Sequence, residues 1–440
     1  NRLEMTAVNE SCYLCIDLKS FYASVECVER GLDPLKAKLV VADPERGDNT
    51  ICLAVTPTLK KMGVKNRCRI FQIPPTIEYI KAVPRMKLYI KYSARIYKIY
   101  LKYFSKDDIH VYSIDEVFID ASRYLGMYGR DAEAMVKAIL KDIFESTGIT
   151  AACGIGTNLY LAKIALDIEA KKSKDGIAVL NEKTYREILW DHKPITDFWR
   201  IGRGTAERLA KYGISTMGQL AQADEKLIYR NFGIDAELLI DHAWGRETVT
   251  MEDIKTYVPK VRSITSGQVL SKPYDCCKAR LILKEMVESL CAELSEKEVL
   301  TDSISIWIGY SKKDELSGMV AERQNFRTSS SSANGSISLP FHTGSYSVII
   351  KSAVELYEKI IDDTCFVKRI NISFNGLICD SSVQLNFLHD AAELEKDKEL
   401  SKSISNIKHK FGKNALFRAM SLEEGATAIQ RNQQIGGHKA

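Results

Sequence analysis

The chain has 440 residues, 27% of them charged and 45% hydrophobic, and its Lys and Arg exceed its Asp and Glu by only five. That length predicts about two to four compact units with real cores. Near charge balance excludes a uniformly basic coat, so any nucleic-acid contact must come from local clusters, and no apolar run approaches the roughly 20 residues that a membrane span requires.

Residues 10–17 run apolar as a first strand, and residues 20–30 carry helix formers stopped by Gly31 and Pro34. Residues 38–43 and 49–55 read as two strands about the turn-rich Asp43-Pro44-Glu45-Arg46-Gly47-Asp48, a small subdomain inserted after strand one. Helical periodicity covers residues 77–103, residues 109–120 read as a hairpin, 131–146 as an amphipathic helix and 149–155 as another strand. The set is a split β-α-β arrangement around an antiparallel-containing sheet. Basic residues cluster at Lys60, Lys61, Lys65, Arg67 and Arg69 and again between Lys81 and Lys102 as candidate nucleic-acid contacts, with a solvated helical face as the alternative for the second group. Eleven cysteines are irregularly spaced, and the CxxC of Cys12 and Cys15 lies in a strand-like run with no second pair at zinc-ligand spacing. Buried free thiols, and a reducing cytoplasm, are therefore expected.

Beyond Lys171-Lys172-Ser173-Lys174-Asp175-Gly176 the pattern turns helical and glycine-punctuated as far as Trp244-Gly245. Within it, residues 200–209 read as a glycine hairpin opening a helix. Gly202 and Gly204 lack Cβ atoms, and the N–H groups near Thr205 would be free to hold phosphates. Residues 248–260 read as a polar tether. A second β-α-β-β-α-β unit follows: strand 261–270, helix 275–294, strand 303–310, short strand 336–341, helix 345–361 and strand 368–377. A loop through Thr328-Ser329-Ser330-Ser331-Ser332-Ala333-Asn334-Gly335 interrupts it. Arg262, Thr265, Ser266, Lys368 and Arg369 on its polar strands are candidates for tracking phosphates, with a purely structural sheet as the alternative. A charged helix-like stretch at 391–411 and a polar Gly-Gly-His tail close the chain.

The chemistry rests on carboxylates. Adjacent side chains on a strand point to opposite faces, so Asp115 and Glu116 can serve one ligand only at a turn, and the flanking apolar residues put them at one. Asp17 beside them would collect three negative charges that demand cations; all-oxygen ligation suits Mg²⁺, with Mn²⁺ as a substitute.

Asp17 followed by Phe21-Tyr22-Ala23-Ser24-Val25-Glu26, together with Ser113-Ile114-Asp115-Glu116, resembles the two opening motifs of the Y-family DNA polymerases, the translesion enzymes of the bacterial DinB and UmuC type. The likeness runs through residues 13–172 and more loosely to 377. It includes Cys153-Gly154-Ile155-Gly156-Thr157-Asn158 and the Leu161-Ala162-Lys163-Ile164-Ala165 that follows. It implies an α+β right-hand architecture: palm (10–20 and 85–178), fingers (21–84), helical thumb with a helix-hairpin-helix (179–247), linker (248–260), little finger (261–378) and tail (379–440). It further implies that Asp17, Asp115 and Glu116, with the Leu18 carbonyl, hold two Mg²⁺ ions for deoxynucleotide addition to a primer on damaged template. Tyr22 falls at the steric gate beside Phe21, and Lys60 at a triphosphate contact. A lysine after the Lys163 helix reaches the triphosphate in relatives, but the spacing here is one residue longer, leaving both Lys171 and Lys172. Pro57 and Ser20 stand where many relatives have aromatic residues, so Thr56 or Thr58 hydroxyls are candidate replacements in the cradle. Gln384-Leu385-Asn386-Phe387-Leu388 is similar to sliding-clamp peptides, with Gln384, Leu385, Phe387 and Leu388 as contacts and the last two anchors reversed; a helix-packing strip is the alternative. Primer-template DNA, deoxynucleoside triphosphates and the clamp are the implied partners of a monomer. Competing readings are a non-catalytic clamp-tethered scaffold and a nucleotidyl cyclase, whose Gly-Gly-Asp/Glu-Glu-Phe signature is missing.

Overall fold

Strand Tyr13–Leu18 is buried at every residue but Asp17, as befits a central strand covered on both faces. It lies mid-sheet in the order Ile109–Val111, Glu116–Asp120, Tyr13–Leu18, Ala151–Gly156, Ile177–Leu180. Neighbours are antiparallel except the last pair, which is parallel. The computed structural model describes residues 11–129, 131–259, 262–311, 332–380 and 391–440, and the chain divides between Tyr257 and Val258 into two units.

In the first unit Tyr13, Cys15, Phe118 and Ala152 on one sheet face pack against Leu159, Ala162 and Leu166. Helices Met86–Tyr100 and Ala132–Thr147 pack together, the latter also against Ala151–Gly156. The helical periodicity read across residues 77–103 takes hold only at Met86, past Pro84. Ile80–Ala82 instead forms a strand parallel to Leu39–Val41, which on its other side pairs with Ala54–Val55. The inserted subdomain is thus a three-stranded sheet over a core of Val40, Cys52, Val55, Leu59 and Ile70. Ile177–Leu180, read as the start of a helical region, is a strand. Helices Glu182–Leu189, Arg203–Ala210, Met217–Ala221, Glu225–Phe232 and Asp235–Trp244 share one core with Tyr160, Leu161 and Ile164 of the helix after strand Ala151–Gly156. The expected tether carries the helix Met251–Thr256, started by a Thr250–Asp253 capping box. Met251 is buried in the core beneath the first sheet, and Lys255 Nζ donates to the Ile109 carbonyl at 2.5 Å.

The second unit is a four-stranded antiparallel sheet ordered Ser332–Thr343, Val299–Tyr310, Val367–Asn375, Ile264–Tyr274. Residues 332–335, assigned to a loop from composition, pair in register as Gly335 opposite Ile306. Helices Cys276–Glu296 and Tyr346–Ile360 cover one face through Leu283, Met286, Leu290, Ile349 and Leu356 against Ile304, Ile306, Ile370 and Phe374. Helix Ala391–Phe411 packs on this helical layer. There the Ser345 hydroxyl donates to Asp397 at 2.6 Å, and the buried carboxylate of Glu285 accepts from the N–H groups of Thr427 (2.9 Å) and Ala428 (3.1 Å). The Gly-Gly of the tail joins strands Gln434–Ile435 and His438–Lys439 with both glycines at positive φ, as a tight hairpin turn demands. All eleven cysteines are free thiols. No described helix is long and apolar enough to cross a membrane.

Candidate active site

Antiparallel register puts Asp17 directly opposite Glu116, and side chains directly opposite share a face. The Leu18 N–H donates to the Asp115 carbonyl at 2.9 Å, and the N–H groups of Tyr112 and Ser113 both reach the Glu116 carbonyl at 3.0 Å. Asp115 therefore belongs to the turn and not to the strand, so it is released from the alternation that would separate it from Glu116. Its Oδ1 accepts from the Ser113 hydroxyl at 2.6 Å. Burial, then the neighbouring Asp115 and Glu116, raise the Asp17 carboxyl above its usual range, while Lys171 pulls the other way.

Two lysines answer that charge. Lys163 Nζ lies 2.6 Å from Glu116 Oε1 and 3.0 Å from Asp167 Oδ2; Lys171 Nζ lies 3.2 Å from Asp17 Oδ2 and 2.8 Å from Asp167 Oδ1. Burial would lower the Lys163 ammonium, but the carboxylates of Asp167 and Glu116 hold it above its usual value. The Cys15 thiol also donates to Glu116 Oε1 at 3.2 Å. The spacing of 163, 167 and 171 would drift around an ideal α-helix. Here Leu159–Ile164 continues into a π-helical stretch, Ala165–Ala170, marked by the Lys171 N–H bonded five residues back to Leu166 O at 3.3 Å. The extra residue counted in the sequence is absorbed in that wide turn, which keeps Lys171 aimed at the carboxylates. Lys172 is exposed and makes no ion pair among the described contacts. Partial burial lowers the Lys60 ammonium and Asp17 opposes this, so Lys60 also faces the site; so does Lys19, likewise lowered by burial and raised by Asp17. Among the described residues no three acidic, His or Cys side chains are already closed into a metal cage, because Glu116 and Asp17 turn to the lysines. The donor set, three carboxylates relieved by cations, fits hard divalent ions.

The Tyr22 ring stacks on Tyr89 at 4.4 Å and 16°. Tyr89 donates to Glu26 at 2.8 Å, and Glu26, wholly buried, also accepts Arg85 at 2.8 and 2.9 Å. Sequence reasoning saw Glu26 only as a motif letter and missed Tyr89, Asp167 and Lys19. Aromatic Tyr89 four residues after Arg85 on a helix was the available signal. Two of the expected nucleotide contacts are buried. Phe21 is only 2% exposed and serves the core. Thr56 is fully buried, its Oγ1 accepting from the Leu39 N–H at 3.1 Å, while Thr58 donates to the Leu35 carbonyl at 2.7 Å; both hydroxyls tie the fingers together.

Gly202 caps helix Arg203–Ala210, and neither Gly202 nor Gly204 has any atom within 4 Å of where a Cβ would sit, leaving the helix start open beside half-buried Thr205. In the second unit Thr265 and Ser373 share a 2.7 Å hydroxyl bond on the sheet face away from the helices, which also carries exposed Arg369. Ser266 alternates to the other face, where Arg431 approaches its hydroxyl at 3.5 Å, so it stands apart from Thr265 and Arg369. Lys368 Nζ donates to the Ser271 carbonyl at 3.2 Å, and exposed Arg262 holds the Leu377 N–H through its carbonyl at 3.2 Å. Gln384, Leu385, Phe387 and Leu388 lie outside the described residues.

Carboxylates at the end of a split β-α-β sheet, flanked by a small fingers domain and a helical thumb, define the palm of a right-hand polymerase. The impB/mucB/samB family model matches residues 16–167 and the model of that family's C-terminal domain matches 261–387. UvrX of Bacillus subtilis (strain 168), whose name refers to UV-damage repair, is 33% identical over 432 residues, 97% of each chain. DNA polymerase IV 2 of the same strain is 29% identical over 435 residues, 98% of this chain and 99% of that one. The solved Y-family DNA polymerase chimera Dbh-Dpo4(243-245)-Dbh shares the fold, with a TM-score of 0.63 at 20% identity over 84% of this chain and 99% of that chain. The chain belongs to the impB/mucB/samB family, the Y-family DNA polymerases.

Proposed function

We infer that this chain is a DNA-directed DNA polymerase of translesion synthesis, adding deoxynucleotides to a primer 3′-hydroxyl opposite damaged template. The observation that carries the reading is the register that sets Asp17 opposite Glu116 with Asp115 in the adjoining turn. Asp17, Asp115 and Glu116, with the Leu18 carbonyl, would hold two Mg²⁺ ions, or Mn²⁺ in their place. When bound, such ions activate the 3′-hydroxyl and stabilise the departing pyrophosphate. Lys171, which stands within 3.2 Å of Asp17, is the lysine placed to move from that carboxylate to the triphosphate, with Lys60 as a second cation. The Tyr22 ring, backed by Tyr89, blocks a ribose 2′-hydroxyl. The open helix start at Gly202, Gly204 and Thr205 and the sheet face with Thr265 and Arg369 hold duplex phosphates without reading bases, with Arg262 and Lys368 at its margins. A monomer tethered to a sliding clamp through residues 384–388 completes the reading.

Primer extension with Mg²⁺ on undamaged and abasic templates tests it. Wild type extends both and Asp115→Ala extends neither; equal activity of the two proteins would sink the assignment. Binding of DNA without any extension by wild type would instead favour the scaffold reading.

A further inference from the structure

On the helical side of the second unit, opposite the sheet face assigned to duplex, the tail carries another basic surface. Residues 400–422 contain no Asp or Glu but include Lys402, Lys408, Lys410, Lys413 and Arg418. Two of these face inward. Lys408 Nζ lies 3.0 Å from Glu288, and Arg418 stands over the Tyr346 ring with its Nε 3.8 Å from the same Glu288 carboxylate.

The outward face is different. Lys402, Asn406, Ile407, Lys410 and Phe411 are exposed, and their three- and four-residue spacing places them on one side of the helix. Phe411 is 67% exposed and the Lys410 ammonium stands 5.3 Å from its ring centre. Gly412, at φ +97°, ends the helix, and Lys413 follows in a turn closed by the Ala415 N–H on the Gly412 carbonyl. Asn414 anchors that turn by donating to the Ile429 carbonyl at 3.0 Å. Among the described contacts no carboxylate pairs with Lys402, Lys410 or Lys413.

Basic residues in a last helical turn offset the helix dipole, which accounts for Lys410. That effect does not reach Lys402, two turns earlier, and gives no reason for a bare aromatic ring between cations. Duplex DNA offers phosphates but no free base faces; single-stranded DNA offers both, and a groove of cations with an aromatic platform is how proteins hold it. We propose that Lys402, Lys410, Lys413 and Phe411 form a binding surface for single-stranded DNA, separate from the primer-template groove. The polymerase reading enters only in choosing DNA among polyanions.

The test uses the full chain saturated with a short unlabelled primer-template hairpin, to which a labelled 20-nucleotide oligo-dT is added and followed by fluorescence anisotropy. Wild type binds the oligomer. The triple variant Lys402→Glu, Lys410→Glu, Lys413→Glu loses at least about tenfold in affinity and about two from the magnitude of the log–log salt slope, as removal of three phosphate contacts on a single strand requires. Phe411→Ala loses roughly five- to a hundredfold through its stacked base. Both variants keep wild-type thermal unfolding and hairpin extension. The proposal is overturned if saturated wild type does not bind the oligomer, if both variants bind as wild type does, or if the surface captures phosphatidylglycerol vesicles and not oligo-dT. Wild type that binds oligo-dT but never extends a primer would defeat the polymerase reading and leave this one standing.

Discussion

Replacing Gly154 by alanine tests whether the lysines beside the carboxylates are positioned by backbone contact. A Cβ at Gly154 would lie 2.1 Å from the Ala162 carbonyl oxygen and 2.3 Å from the Leu166 nitrogen, and at Gly156 2.2 Å from the Ala162 nitrogen. Those atoms are helix backbone, so no side-chain rotation relieves the clash, and strand and helix must separate by more than about 1 Å before ordinary contact is restored. The displaced helix is the one that sets Lys163 at 2.6 Å from Glu116 and Lys171 at 3.2 Å from Asp17, so both contacts pass beyond direct bonding. Overpacking of this kind costs about 1–3 kcal/mol, or a fall of several degrees in Tm, and an ångström of misplacement costs about a hundredfold in rate. Circular-dichroism melting and single-turnover nucleotide addition measure the two effects. Gly126→Ala, with nothing within 4 Å of its Cβ, is the control and leaves both unchanged. If Gly154→Ala melts lower yet adds nucleotides at the wild-type rate per folded molecule, helix position does not govern the site and the reasoning fails.

Three further outcomes follow from the same geometry. Lys171→Ala raises KM for the incoming triphosphate by about tenfold or more while Lys172→Ala leaves it within twofold, measured by steady-state extension; equal effects would contradict the role of the π turn. Glu26, although burial pushes its carboxyl upward, is held below the usual glutamate range by hydrogen bonds from Arg85, Arg30 and Tyr89. Its stabilisation is therefore fully present above the ordinary glutamate value and fades as pH falls through the lowered one. Glu26→Gln loses about 2 kcal/mol at neutral pH and less in acid, and urea melts at several pH values that show a constant difference would refute this. Tyr89→Leu removes the ring stacked under Tyr22 and raises ribonucleotide incorporation, with Tyr22→Ala raising it further in the same assay; no change in Tyr89→Leu alone frees the gate from its backing.

How far the sequence carries is clearest at the lysines. The paired carboxylates were legible because a turn between two apolar runs frees neighbouring side chains from strand alternation, and Asp17 lies near the end of a strand that can pair with one of those runs. The glycines of Cys153-Gly154-Ile155-Gly156 were visible as letters, but their reason, a helix backbone that would lie within 2.3 Å of any Cβ there, is a tertiary constraint with no local trace. The same limit explains the strand at Ile177–Leu180. Four residues seldom declare a period against the helices that follow, and only the open edge of Ala151–Gly156 recruits them. Thr56 shows the converse: its hydroxyl looked available beside Lys60 because exposure cannot be read from type, and the Leu39 N–H, 17 residues away, had claimed it. At 163, 167 and 171 the count alone left two lysines equivalent. An inserted residue can rotate everything beyond it by about 100°, or be absorbed where it falls as a widened turn. Absorption is favoured here because Asp167 accepts both Lys163 and Lys171, so a register that separated them would leave a carboxylate beside the active site with half its charge unanswered.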